Sequence, residues 1–269
     1  METLRAAIQP GAGQRLDLAA LEMAAIETPG LDPAPFVEIL DRIASRIAEI
    51  APGSAGGREF VRAANDHLFG ELGFRGNETD YYDPRNSCIN FVLDRRVGIP
   101  ITLSVIYIEV ARRLGRPVAG VGLPGHFIVE YNDGQFATYI DPFHGGKLLG
   151  REECLEIARE RTGSEPVDAA LAPVDTRYIL VRMLNNLRAA YFRKKQFQQV
   201  IAVTDVLLEA FPRNGEYYRS RGLARLRMRQ FRNAKQDLEL YLKLSPEAED
   251  RKQIAEQLRT VHRWLGRLN

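Results

Sequence analysis

The chain has 269 residues, 45% of them apolar and 27% charged, enough for one large domain or two ordinary ones with a substantial core. No run of 18 apolar residues occurs, and the opening METLRAAIQPGAGQRLDLAALEMAA carries acidic residues early and no apolar stretch behind a basic start. That pattern argues against a membrane span and against a secretory signal. The formal net charge of +2 hides an asymmetry: residues 177–269 hold 20 Lys and Arg against 9 Asp and Glu, a surplus of 11, while the preceding 176 hold 17 against 26. A basic tail on an acidic body points to mutual docking or to an acidic partner. Two cysteines, Cys88 and Cys154, in a chain of this length fit a reducing cytoplasm and free thiols.

Residues 1–76 read as helical. LDPAPFVEILDRIASRIAEI sets Phe36, Ile39, Leu40, Ile43, Ile47 and Ile50 at helical spacing behind an Asp32-Pro33 start signal. APGSAGG (51–57) is a loop, and REFVRAANDHLFGELGF (58–74) is a second amphipathic segment. DPRNSCINFVLDRRVG (83–98) reads as one helix, capped by Asp83, opened by Pro84 and closed by Gly98. Ile99 precedes a proline and marks a break; Pro100 opens a core helix, ITLSVIYIEVARRLG, ending at Gly115. RPVAGVG (116–122) is a short strand, a hairpin follows over 122–143, and REECLEIARERTG (151–163) is one more helix. SEPVDAALAPVDT (164–176) has two prolines and no period, and the domain boundary is expected there.

From Arg177 onward the chain repeats with a period of 34. Leu184, Phe197 and Pro212 recur as Tyr218, Phe231 and Pro246, and Tyr191, Val200 and Leu207 as Arg225, Ala234 and Tyr241. Two helices per unit with a closing proline resemble tetratricopeptide repeats, here 181–214 and 215–248, with a capping helix over 250–268 that turns Ile254, Leu258, Val261 and Leu265 to the stack. Arg188 departs from the small residue the pattern prefers; Gly222 and Ala234 keep to it. The resemblance implies a groove lined by the first helix of each unit, hence by Arg182, Asn185, Arg193, Arg219 and Arg227. Such a groove suits acidic side chains or a C-terminal carboxylate; the alternative is that these arginines are solvated or pair with the acidic first domain.

In GLPGHFIVEYNDGQFATYIDPF (122–143), an Asp133-Gly134 turn puts His126 directly opposite Asp141, on one face of the hairpin. An Asn132-Asp133 turn puts His126 opposite Tyr139 instead. A carboxylate beside an imidazole fixes its tautomer and stabilises the imidazolium, as a general base needs; the same pair also serves to tie two strands together.

NSCINFVLDRRVGIPITLSVIYIEVARRLG, followed by GLPGHFIVEY and YIDPF, resembles the transglutaminase-like superfamily, closest to its bacterial SirB-type branch with C-terminal tetratricopeptide repeats. The resemblance implies an α+β, papain-like domain with a small antiparallel sheet over 1–170 (a helical N-terminal segment over 1–76, the core over 77–163), then an all-α repeat domain over 177–269. It implies a Cys-His-Asp triad in which His126 and Asp141 match the family His and Asp. The family nucleophile falls on Pro100, which has none. Cys88, one helix earlier, is a candidate replacement, as are the hydroxyls of Thr102 and Ser104; Cys154 fits no pattern. Asn86 and Asn90, one turn apart, are candidates for the same pocket. The leading reading is a cytoplasmic, non-catalytic, regulatory module that binds protein or peptide, and the alternative is a thiol hydrolase or amide-transfer enzyme using Cys88. No metal or other cofactor is expected, since no HxxxH, HxH or CxxC spacing occurs, and no P-loop or nucleic-acid module is present.

Overall fold

The computed structural model describes residues 1–9, 15–163 and 168–266, the side chains of 168 and 264–266 excepted. It divides into two compact units, Met1–Met183 and Leu184–Asn269. The division falls later than the proline-rich segment 164–176, some of which lies outside the described residues.

The first unit begins with helices α1 (Glu2–Ala7), α2 (Leu16–Ala24), α3 (Ala34–Ile50) and α4 (Gly57–Asn65), the last running into a π turn at Asp66–Glu71. Strands β1 (Arg75–Gly76) and β2 (Val97–Gly98) pair in parallel and flank α5 (Ile89–Arg95). The core helix α6 (Pro100–Arg113) follows, with every residue from Pro100 to Ala111 buried. Then come β3 (Val118–Val121), β4 (Ile128–Asn132), β5 (Ala137–Asp141), β6 (Lys147–Leu149), α7 (Arg151–Thr162) and β7 (Pro173–Val174). Strands β3 to β7 form one antiparallel sheet in the order β6-β5-β4-β3-β7. The two outer strands are additions to the expected hairpin and strand. Both are three residues or fewer, below the length at which alternation can be read.

The expected helix over 83–98 is two pieces. Asp83 does cap, its carboxylate accepting from Arg85 N at 3.0 Å, but it caps only a 3₁₀ turn, Pro84–Ser87. Cys88 is extended (φ −99°, ψ 116°) and becomes the N-cap of α5. The carbonyl of Asn86 accepts from Ile99 N (3.4 Å) and is lost to a continuous helical ladder. The closure is made by Arg96 in the left-handed region (φ 60°), since Val97 and Gly98 are needed as a strand.

The second unit comprises the end of α8 (Thr176–Arg193) with α9 (Phe197–Ala210), α10 (Gly215–Arg227), α11 (Phe231–Leu244) and α12 (Arg251–Gly266). The 34-residue period is repeated in backbone detail. Lys195 (φ 60°) and Arg229 (φ 58°) occupy the same left-handed turn position, one period apart. The helix ends at Phe211 and Ser245 share φ −131°, ψ 63° and φ −127°, ψ 68°. Ile254 and Val261 of α12 are buried as the spacing predicts; Leu265 and the expected end of the helix at 268 lie outside the described side chains and residues.

Candidate functional site

His126 enters the sheet from a loop and Asp141 ends β5. The register is neither of the two expected ones. Val129 pairs with Ile140 and Asn132 with Ala137, so the turn residues are Gly134 and Gln135. Asp133 Oδ1 accepts from Gln135 N (2.9 Å) and Phe136 N (2.7 Å), which moves Asp133 out of the turn centre and into its closing pair, and Gly134 takes φ +83°. Carried one step further, this register sets Ile128 opposite Asp141, so His126 is a diagonal neighbour on the same face. Diagonal neighbours are still within reach of long side chains, and His126 Nε2 lies 2.7 Å from Asp141 Oδ2.

A third group joins them. Asp141 opens a 3₁₀ turn, Pro142–His144, in which residues three apart eclipse one another. His144 Nδ1 therefore reaches the same Asp141 Oδ2 at 2.8 Å. The other oxygen, Oδ1, accepts from the backbone N–H groups of Phe143 (3.0 Å) and His144 (3.3 Å). His126 and Asp141 are buried, whereas the His144 side chain is 53% exposed. Burial alone would push the Asp141 carboxyl up, but the bonds and charges of His126 and His144 outweigh it and hold the group below the usual carboxylate range. The signal for His144 is in the sequence as DPFH, an i, i+3 spacing that one 3₁₀ turn brings onto a single face.

Two supports fix the rings. Phe143 lies edge-on to both imidazoles, with centroids at 6.2 Å from His126 and 5.1 Å from His144. Phe143 in turn packs on Gly76, where a Cβ would stand 2.6 Å from the ring, so the approach requires glycine. The second support is Arg182, whose Nη2 donates to the carbonyls of Leu123 (2.7 Å) and of His126 itself (2.5 Å). Its guanidinium also stacks over Phe127 at 5.3 Å. Arg182 thus clamps the loop that carries His126, and this corrects its expected place in the repeat groove.

The candidate nucleophiles are elsewhere in character. Cys88 is fully buried, and burial, then the carboxylates of Glu27 and Asp83, push its thiol far above the ordinary range. Both effects disfavour a thiolate at Cys88. Thr102 and Ser104 are fully buried inside α6, with hydroxyls that meet no partner among the described residues. Cys154 sits in an apolar cluster with Val121, Ile128 and Leu155, its thiol pushed up to about 12 by burial and by Glu153 and Asp141. Asn86 is a brace: it donates to Asp80 O (2.7 Å) and accepts from Asn77 Nδ2 (3.1 Å). Asn90 is buried with its Oδ1 unpartnered among the described residues.

Residues 35–185 match the family profile described as transglutaminase-like superfamily, more than half of the chain. The chain belongs to the transglutaminase-like superfamily. Residues 187–259 match the tetratricopeptide repeat. A UPF0162 protein of Xylella fastidiosa (strain Temecula1 / ATCC 700964) is 45% identical over 191 residues, which cover 69% of this chain and 68% of that one. A UPF0162 protein of Vibrio cholerae is 30% identical over 167 residues, 58% of each. Human F-box only protein 21 is 36% identical over 165 residues, 57% of this chain and 26% of that much longer protein. Among the described residues of this transglutaminase-like protein, no helix is long and apolar enough to cross a membrane.

In the repeat unit the expected groove cations are partly engaged. Asn185 donates to Tyr217 Oη (3.1 Å), and Arg219 pairs with Asp250 and with Glu216 (3.3 Å). Arg221 is bidentate to Asp237 and also reaches Asp205, and Arg225 joins the same Asp237. These pairs engage Asp205, Glu216, Asp237 and Asp250, and the surplus of 11 cations over residues 177–269 is untouched by them. A cavity of about 400 Å³ remains, lined by Arg188, Phe192, Arg193, Glu216, Arg219 and Ser220. Arg188, in the sequence only a departure from the repeat pattern, lines this cavity: it stacks on Tyr217 at 5.4 Å, and burial lowers its pKa. Arg182 and Arg227 do not line this cavity.

Proposed function

We propose that this chain is a non-catalytic, regulatory member of its superfamily, acting in the cytoplasm and binding an acidic protein or peptide through its repeats. The observation that carries the reading is the state of the thiols. By the resemblance the family nucleophile falls on Pro100, the first residue of α6, and the thiol offered as its replacement, Cys88, is buried where a thiolate is strongly disfavoured. Tetratricopeptide repeats present a concave surface for peptides, and the cavity beside Arg188, Arg193 and Arg219 supplies cations for carboxylates. The alternative, a thiol hydrolase or amide-transfer enzyme on Cys88, His126 and Asp141, asks for a charged sulfur in the least hospitable place.

The test uses a fluorescein-labelled acidic nonapeptide with a free C-terminal carboxylate, followed by anisotropy and then by mass spectrometry of the recovered peptide. Binding should weaken as salt rises and fall several-fold in Arg193→Glu, with the peptide mass unchanged. Peptide cleavage or transfer that disappears in Cys88→Ala would overturn the non-catalytic reading. Absence of binding at low salt, or binding indifferent to salt, would overturn the acidic-peptide reading.

A further inference from the structure

We propose that His126 Nε2, Asp141 Oδ2 and His144 Nδ1 are the three protein ligands of a divalent transition-metal ion of the zinc class. The three atoms lie within 4.8 Å of one another. An ion with bonds of about 2.0–2.1 Å in tetrahedral geometry sets its ligands roughly 3.3–3.5 Å apart. The contacts of 2.7 and 2.8 Å therefore need to open by about 0.6 Å, and the two imidazole nitrogens, within 4.8 Å of each other, need to come to the same spacing. The proposal does not depend on peptide binding by the repeats.

Three features distinguish this cluster from a simple polar latch. First, a latch between the two strands needs only His126 and Asp141, yet a second imidazole is brought to the same oxygen by the 3₁₀ turn. His144 is half exposed and could bond water instead; its ring nitrogen is aimed at an oxygen that already has a partner. Second, the carboxylate is held by its far oxygen. Two backbone N–H groups on Oδ1 fix its rotation and leave Oδ2 as a one-atom ligand, the arrangement in which an outer partner orients an inner ligand. Third, the edge-on Phe143 ring holds both imidazoles, while exposed His144 provides a solvent path to two buried ligands.

The donor set fixes the class of ion. Two imidazoles and one carboxylate without sulfur suit Zn²⁺, Co²⁺, Ni²⁺ or Fe²⁺, and disfavour Mg²⁺ and Ca²⁺, which prefer all-oxygen shells. Each neutral imidazole that donates to Asp141 in the metal-free state turns the lone pair of that nitrogen to the ion, and its proton moves to the other ring nitrogen through solvent. One carboxylate against a doubly charged ion leaves a net charge of +1. With three protein ligands, a further position stays open to water or to an anionic oxygen.

The experiment uses the full chain without a polyhistidine tag, stripped with chelator, and titrated with Zn²⁺ against a chromophoric competitor and with Co²⁺ by visible absorption. The expected result is one equivalent of Zn²⁺ per chain and Co²⁺ d–d bands of a nitrogen/oxygen site. His144→Ala and His144→Gln, at an exposed position where folding is checked by circular dichroism, should weaken binding at least about 100-fold. Cys88→Ala should leave the affinity unchanged. An equivalent of Zn²⁺ that persists in both His144 variants overturns the proposal, because the ion then sits elsewhere; the pair His67 Nδ1–Glu71 Oε2 at 2.7 Å is the obvious competitor. Wild-type binding no tighter than that of the variants overturns it equally.

Discussion

The first unit contains two polar clusters, each built on buried carboxylates, that differ in what they can do. One is centred on Arg113 at the end of α6. Its guanidinium meets Asp41 (2.6 Å), Asp17 (2.7 Å) and Glu109 (2.9 Å), while Arg15 and Arg112 close the remaining carboxylate oxygens of Asp17 and Glu109. The other is His126, Asp141 and His144. In the first, cations and anions alternate, and the network joins α2, α3 and α6 around a cavity of about 380 Å³ lined by the same side chains. In the second, lone-pair donors converge on one point, and one member faces solvent. A closed network holds elements together; a convergent one can exchange a proton or an ion.

Titration separates them further. Asp17 is raised by burial but drawn below its usual range by Arg15, Arg113 and the Leu18 N–H, whereas Glu109 is held above its range by burial and by the charge of Asp17. The two acids of the closed network therefore act in opposite directions on stability as pH changes. Asp141 acts in one direction only. Its pKa is depressed, so its stabilisation is present above the ordinary Asp value and is lost as pH falls through the lower folded value.

The largest expected effect comes from opening the closed network. Arg113→Met leaves Asp17 and Glu109 buried beside each other with only Arg15 and Arg112, at 56% and 44% exposure, to neutralise them. Removing one partner of a buried ion network costs about 3–5 kcal/mol, read as a shift of the urea midpoint at unchanged slope. A loss under about 1 kcal/mol would mean that the network is solvated and contributes like a surface pair.

Asp141→Asn should cost less, about 1–3 kcal/mol, since the amide keeps an acceptor for the backbone N–H groups but no longer accepts from both imidazoles. Its sharper signature is the pH profile. Wild type should lose stability on acidification below about pH 4, and the variant should show a shallower acid limb. Equal limbs in the two proteins would mean that Asp141 is not the ionised centre of the cluster.

The same contrast explains which regions are legible in the sequence. The repeat period is, because Phe197/Phe231 and Lys195/Arg229 occupy one backbone position twice, and a period survives any error about single contacts. The His126–Asp141 pair is legible as a same-face relation, although its register differs from either expectation: the Asp133 carboxylate bonds to Gln135 and Phe136 N–H and shifts the turn by one residue. The break at Cys88 is not legible, because it depends on a long-range bond from Ile99 N to the Asn86 carbonyl that local propensity does not contain. Nor is the clamp of Arg182, whose partners are carbonyls 56 and 59 residues away. His144 stands in plain view three residues after Asp141, but a ligand set needs a third member, and only folding supplies it, from the loop before β4.

The smallest expected change in stability is the most informative about the open cluster. His144 is 53% exposed, and its bond to Asp141 is made in contact with water, so His144→Ala should alter stability by about 0.5 kcal/mol or less in metal-free protein. Asp141 keeps His126 and its two backbone donors, so the hairpin has no reason to move. If the residue served mainly to lock the turn, its removal would lower the melting temperature in the metal-free chain. A variant that melts like wild type without metal, yet loses the stabilisation that Zn²⁺ confers on wild type, separates the two roles, because a ligand that binds only the folded form raises stability by RT ln(1 + [L]/Kd). A melting temperature lowered equally with and without Zn²⁺ would assign His144 to the fold and return the cluster to the same class as Arg113.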